Sequence, residues 1–335
     1  MAARRNLMKL KRSSALLAWL LLPALAFAAP AHRDIRVATP WPAQNTIIAM
    51  LGYGQNIVGT SAIAKRIPLF RQVYPAIDKV PVISVTSGHE INPEQVIALR
   101  TQLLFLPQTM TVPEPEVLQQ AGVKTLALQA NAMQALRDRV TLTGKALGPD
   151  AEQVADRYQR YFQHNVELVQ ARLKDLPVEQ RLRVYHSMGN ALTTTGRPSL
   201  NQDWMDLAGA RNVAADWFRG HKNSAGEVPL EKVAQANPDV IVAMNKRDAD
   251  LILHSAQWQG IAAVQHHRVY VNPKGMFWWC RETSEEALQF LWLAKTLYPQ
   301  RFQDIDMTQE TRRFYHDFFG ITLSDKQVRD ILSPE

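Results

Sequence analysis

Cysteine is nearly absent: Cys280 stands alone among 335 residues, so no intrachain disulfide can form. Without such staples the fold must rest on apolar burial, and a chain this long can bury two cores. Acidic residues are missing before Asp34, whereas Arg4, Arg5, Lys9, Lys11 and Arg12 are basic. An apolar run from Ala15 to Ala28 comes next, with small residues at Ala26 and Ala28. Basic start, apolar middle and small-residue exit are the three parts of a secretory signal. The run falls well short of the roughly 20 residues that span a bilayer, which disfavours a retained anchor. Residues 1–28 are therefore expected to be removed, with a product starting near Ala29, exported by the general secretory or the twin-arginine route. No cysteine lies near that point, so no lipid anchor is expected there.

The first 28 residues hold five of the 38 basic side chains and none of the 31 acidic ones. The remainder of the chain carries 33 basic against 31 acidic residues, a balance of +2. A dense basic stripe is what nucleic-acid binding needs, so no nucleic-acid partner is expected.

Enzyme signatures are also lacking. Gly52, Gly54 and Ile57 fall one residue short of the dinucleotide fingerprint and come after a helical pattern, not a strand. Gly144 and Lys145 lack the upstream glycine of a phosphate loop. His89 and Glu90 begin a zinc-protease spacing, but Pro93 takes the second histidine's place. There is no Gly-x-Ser-x-Gly elbow.

What is present is an alternation. Strands are expected at Ile35–Thr39, Ile57–Thr60, Val80–Ser84, Leu103–Leu106 and Val123–Ala127. Helices are expected at Ala43–Leu51, Pro93–Arg100 and Glu114–Ala121. Asn92 as cap and Pro93 in the first turn open the second of these helices. Between Asp150 and Leu173, apolar residues recur every three or four positions, one amphipathic helix roughly 36 Å long. The alternation then restarts, with strands at Leu182–Tyr185, Val240–Ala243 and Arg268–Val271. Helices are expected at Gln202–Ala208, Pro229–Gln235, Ser284–Leu297, Gln309–Phe319 and Ser324–Leu332. No internal repeat stands out. The expected fold class is α/β: two Rossmann-like lobes, 29–147 and 177–335, joined by one long helix within 148–176. The ligand cleft should lie between the lobes, beyond the carboxyl ends of their strands.

Several stretches, in order over about 250 residues, carry a resemblance. They are Ile35 to Thr60, Asn92 to Leu99, Ala121 to Val123, Leu207 to Val213, Asn237 to Val242 and Ala262 to Tyr270. This set resembles the periplasmic receptors of ABC importers for iron siderophores, haem and cobalamin, the class with a rigid interlobe helix. The resemblance implies a non-enzymatic, monomeric periplasmic protein without a cofactor of its own. Its cargo would be a metal chelate, its partner an inner-membrane permease driven by ATPase subunits. It further implies docking through Glu94 and Glu231, one acidic residue per lobe, exposed carboxylates suited to arginines on the permease rim.

Polar and aromatic residues just after strands are the candidate ligand contacts: Trp41, His89, Gln108, Thr109, His186, Met188, Asn245, Trp278, Trp279 and Arg281. Two tryptophans in a glycine-bearing turn are suited to stacking on a flat chelator, and Arg281 to pairing with an anionic ferric complex. Arg197 and Arg219 add further anion-pairing groups, and His221 a candidate iron ligand. His89 and His186, one from each lobe, would complete the coordination of a metal whose chelators leave positions open. Iron is the expected metal, nickel or cobalt the alternative. A ferric siderophore is thus the expected cargo, ahead of a nickel or cobalt chelate, haem or cobalamin. A periplasmic metal-dependent enzyme using the same histidines is the alternative from another class.

Overall fold

The computed structural model describes residues 32–84, 90–220 and 224–335. The first lobe contains β1 (Val37–Ala38), α1 (Pro42–Ile48), β2 (Ile57–Gly59), α2 (Pro68–Val73) and α3 (Pro93–Ala98). It continues through β3 (Leu103–Pro107), α4 (Pro115–Gln120), β4 (Lys124–Leu128) and α5 (Met133–Leu147). The connecting helix is α6 (Pro149–Leu173). The second lobe contains β5 (Arg183–Ser187), β6 (Thr193–Thr195), α7 (Leu200–Leu207), β7 (Arg211–Asn212), β8 (Ala225–Glu227) and α8 (Leu230–Ala236). Then come β9 (Val240–Ala243), α9 (Lys246–His254), α10 (Ala262–Gln265) and β10 (Val269–Val271). Helices α11 (Glu286–Leu297), α12 (Met307–Phe319) and α13 (Asp325–Leu332) close the chain.

Each lobe holds a four-stranded parallel sheet, in the orders β2-β1-β3-β4 and β10-β9-β5-β7. In each, the lobe's first strand, β1 or β5, lies inside the sheet with a later strand on either side. Residues 103–106 and 240–243 are buried throughout, as strands covered on both faces must be. In both sheets the order reverses beside that first strand, and a crevice opens at such a switch point.

Helix α6 buries Ala151, Ala155, Tyr158, Phe162, Asn165, Val169 and Leu173, the three-and-four spacing of one helical face. Gly144 of α5 sits so close that an added Cβ would lie 2.9 Å from the Ala155 Cβ. The Tyr158 hydroxyl donates to the Ser284 carbonyl at 2.8 Å and Asn165 Nδ2 to that of Ala287 at 2.9 Å. One apolar core thus runs from Ile35 through α6 to Ile331, with one smaller cluster in each lobe. A shared core of this kind holds the lobes at a fixed spacing.

One expected strand is missing and an unexpected pair is present. Val80–Ser84 forms no strand; Val82 and Ser84 make only isolated bridges, to Thr60 and Ile91. Pro81 removes a backbone donor there, which a ladder cannot spare. The antiparallel pair β6–β8 was not expected and flanks the interlobe crevice.

Candidate functional site

Between the lobes lies a cavity of about 370 Å³. Its first-lobe wall is Trp41, Pro42 and Ala43 after β1, with Ile63 and Asn131. Its second-lobe wall is Met188 after β5, Thr195 of β6, Leu200 and Asn201 of α7, and Ala225 of β8. Phe277, Cys280, Arg281 and Glu282, from the segment after β10, complete it. Trp41 and Met188 thus stand just after the first strands of their sheets, at the two switch points.

Asn201 organises the second-lobe wall. Its Nδ2 donates to Thr195 Oγ1 at 3.1 Å and contacts Met188 Sδ at 2.9 Å, while its Oδ1 accepts from Trp204 Nε1 at 3.0 Å. Glu285 organises the segment after β10. This buried carboxylate accepts from the Met276 and Phe277 amides at 2.7 and 3.1 Å, from Thr283 Oγ1 at 2.8 Å and from the Tyr315 hydroxyl. Burial raises its pKa to about 7 against those hydrogen bonds. The turn so pinned rotates Phe277, Cys280, Arg281 and Glu282 toward the cleft. Burial pushes the Cys280 thiol up to about 12, so it stays protonated and packs as a small apolar group.

Of the residues nominated from sequence, the structure brings Trp41, Met188 and Arg281 together at this cavity. Trp278 and Trp279 were expected to face the cargo, and neither lines this cavity. Trp279 is fully buried in the main core. Trp278 is half-buried, with Lys274 Nζ 4.2 Å from its ring centroid and Phe277 edge-on at 5.1 Å. His186 is likewise not a cleft residue: it is fully buried and edge-on to Trp204 at 5.1 Å. Neither of its ring nitrogens has a hydrogen-bond partner among the described residues. Burial, with Arg281 nearby, lowers its pKa to about 3 and keeps the ring neutral.

The remaining nominees lie elsewhere. Gln108 borders a separate hollow on the first lobe, and Thr109 is exposed in the adjoining turn. Asn245 caps α9, accepting from the Asp248 amide at 2.9 Å. Arg197 and Arg219 are exposed and share one carboxylate, Asp216, at 3.6 and 3.0 Å. Glu94 and Glu231 lie in the first turns of α3 and α8. His89 and His221 fall outside the described residues, as does the expected signal segment 1–28. Among the described residues no three His, Cys, Asp or Glu side chains converge to hold a metal.

Sequence reasoning missed Asn131, Thr195, Asn201, Phe277, Glu282 and the buried Arg139. Asn131 comes shortly after β4, so the rule that selected Gln108 would have selected it too. Arg139 lies within a helix, and nothing local distinguishes it from a solvated arginine. Its guanidinium carbon sits 3.9 Å from the Trp41 ring centroid, its Nη2 donates to the Glu282 carbonyl, and its Nη1 is 3.6 Å from Glu282 Oε2. Burial lowers its pKa to about 10, partly offset by the Glu282 charge, so it remains cationic. Among the described residues Arg281 makes no ion pair. The cavity therefore presents the Arg281 guanidinium, the Glu282 carboxylate, three short polar side chains and two aromatic faces.

Two parallel sheets facing one crevice, tied by a rigid helix, define a two-lobed solute-binding protein. Residues 37–275 match the family described as periplasmic binding protein, and the chain belongs to that family. It is similar to the molybdate-binding protein MolA of Haemophilus influenzae, 26% identical over 310 residues, covering 86% of this chain and 84% of MolA. The structure of MolA bound to molybdate matches with a TM-score of 0.75 and 23% identity, over 88% of this chain and 96% of that one. A periplasmic solute-binding protein of Veillonella parvula matches with a TM-score of 0.77 and 24% identity, over 90% and 93% of the two chains. CeuE of Helicobacter pylori with Ni(II) bound matches with a TM-score of 0.68 and 18% identity, over 89% and 94%. Among the described residues no helix is long and apolar enough to cross a membrane.

Proposed function

We propose that this chain is the periplasmic receptor of an ABC importer and that its cargo is a small anion, an oxyanion of the molybdate type. The observation that carries this reading is the guanidinium of Arg281, without an ion-pair partner among the described residues, on a cavity of about 370 Å³. That volume is near the lower end of the roughly 300–1,000 Å³ of small-molecule sites. It suits a compact anion better than haem, cobalamin or a bulky ferric siderophore, and the tryptophans expected to stack on a flat chelator point elsewhere. The likeness to a molybdate-binding protein supports the same cargo class. Binding and release, without turnover, is the chemistry this cavity supports. Nickel held by His186 finds no support in that side chain's burial against Trp204.

The test is a titration of the protein from Ala29, monitored by Trp41 fluorescence and calorimetry. The panel is molybdate, tungstate, sulfate, ferric catecholate, ferric hydroxamate, haem, cobalamin and nickel with histidine. A tetrahedral oxyanion is expected to bind one-to-one. Arg281→Ala should weaken it by about 10- to 150-fold, the loss of a charge-assisted hydrogen bond worth about 1.5–3 kcal/mol. Binding confined to a ferric chelate would return the cargo to the siderophore class; turnover of any ligand would replace the receptor with an enzyme.

Delivery is proposed to run through Glu94 and Glu231. Each is the second residue of a short helix, α3 or α8, that leads into a central strand of its lobe, β3 or β9, so the two sit at corresponding places. Reversing both charges (Glu94→Lys with Glu231→Lys) should abolish cargo uptake by cells while leaving cargo affinity within about two-fold, since opposed like charges cost several kcal/mol at an interface. Undiminished uptake would exclude these carboxylates as the docking points.

A further inference from the structure

The cleft already contains an anion, and it belongs to the protein. Glu282 Oε1 accepts from the Asn131 backbone amide across the lobes, and its Oε2 faces Arg139 Nη1 at 3.6 Å. Arg139 is 1% exposed, yet its Nε and Nη1 have no hydrogen-bond partner among the described residues. Glu282 itself has φ +59, a left-handed backbone that side-chain-bearing residues other than Asn and Asp rarely adopt. Such a conformation persists only where surroundings impose it, and it concentrates at ligand sites. Here it turns the carboxylate inward, between Arg139 and the cavity that Glu282 lines together with Asn131, Trp41 and Arg281.

We infer that Glu282 is a placeholder in the anion subsite: its carboxylate occupies the position that a cargo oxygen takes when the cleft fills, and cargo binds by displacing it from Asn131 and Arg139. This rests on the small-anion reading of the cleft. A displaced Glu282 frees its two partners, the Asn131 amide and Arg139 Nη1, as donors to an anion in the cavity that Arg281 also lines. Those two guanidiniums match a dianion better than a monoanion. The placeholder also balances the Arg139 charge while the site is empty, since an uncompensated buried charge is strongly destabilising.

The experiment compares wild type with Glu282→Gln, which removes only the charge, and Glu282→Gly, which also suits the left-handed backbone. Each is titrated with molybdate, tungstate and perrhenate, the last a tetrahedral monoanion of the same shape, with melting temperatures recorded in parallel. Both variants should bind the dianions at least ten-fold more tightly than wild type and gain less for perrhenate. Equal or weaker dianion binding by folded variants, with wild type still binding, overturns the placeholder and leaves the small-anion reading standing. Binding by a variant when wild type binds nothing supports it; binding by neither overturns both. In wild type, independently of whether the variants fold, the Asn131 amide resonance should move on saturation with oxyanion. An unmoved resonance means Glu282 keeps its place and the inference fails.

Discussion

Gly275→Ala is expected to destabilise the protein by about 3–5 kcal/mol, lowering Tm by roughly 10 °C, and to weaken cargo binding as well. A methyl at this position would overlap the Tyr315 hydroxyl and the Glu285 carboxylate. Neither group has room to retreat, because both are fully buried and bonded to each other. Moving them breaks the bonds from Glu285 to the Met276 and Phe277 amides, which fix the turn carrying Phe277, Arg281 and Glu282. The paired readout is thermal unfolding with oxyanion affinity. A variant that melts within about 1 °C of wild type would show that the turn is held by something other than this carboxylate.

The second large effect is on pH dependence. The His186 pKa falls from its ordinary 6.5 to about 3 on folding, through burial first and then the nearby Arg281. Below pH 6.5 the unfolded chain takes up a proton on this ring that the folded chain refuses until about pH 3. Stability is therefore lost as pH falls through that window, by up to about 1.4 kcal/mol per pH unit, or about 2 kcal/mol between pH 7.5 and 5. Glu285 works in the opposite sense. Its folded pKa of about 7 exceeds the ordinary 4.5, so its contribution is lost as pH rises from 4.5 toward 7. The wild-type profile sums both, and the clean quantity is a difference. His186→Phe keeps the edge-on contact with Trp204 and cannot titrate. On going from pH 7.5 to 5, its stability relative to wild type should rise by about 2 kcal/mol, read from urea unfolding at each pH. Parallel profiles for the two proteins would mean that the ring is protonated inside the fold.

How much of the fold was legible in the sequence depended on the range of the forces involved. The long helix was readable because its stripe from Ala151 to Leu173 is local, and so was the cap at Asn92, whose side chain accepts from the Gln95 amide three residues on. Strands such as Val240–Ala243 were readable because continuous burial leaves an unbroken apolar run. The short strand Arg211–Asn212 and the pair β6–β8 left no such run, since their few residues owe their conformation to partners far along the chain.

The residues of the candidate site divide in the same way. Which segments border the cleft depends on strand order: of the residues chosen for following strands, Trp41, Met188 and Arg281 line the cavity. Which side chain of a segment turns inward is a separate matter. Trp278 and Trp279 were the natural candidates by composition. The turn they occupy is set by Glu285 with Tyr315, 30 residues apart, and that pinning presents Phe277 and Arg281 instead. His186 lies one residue from the end of β5, where it packs edge-on against Trp204 and is buried. Arg139 becomes part of the site only because α5 packs behind Trp41.

The α/β character of the chain and its long connecting helix could be read from the residues alone, because both follow from apolar periodicity within single elements. The chemistry of the crevice came from packing between distant segments, which set the Asn131 amide and Arg139 against Glu282. The rotation of each side chain after a strand is set by contacts between residues that the chain keeps far apart.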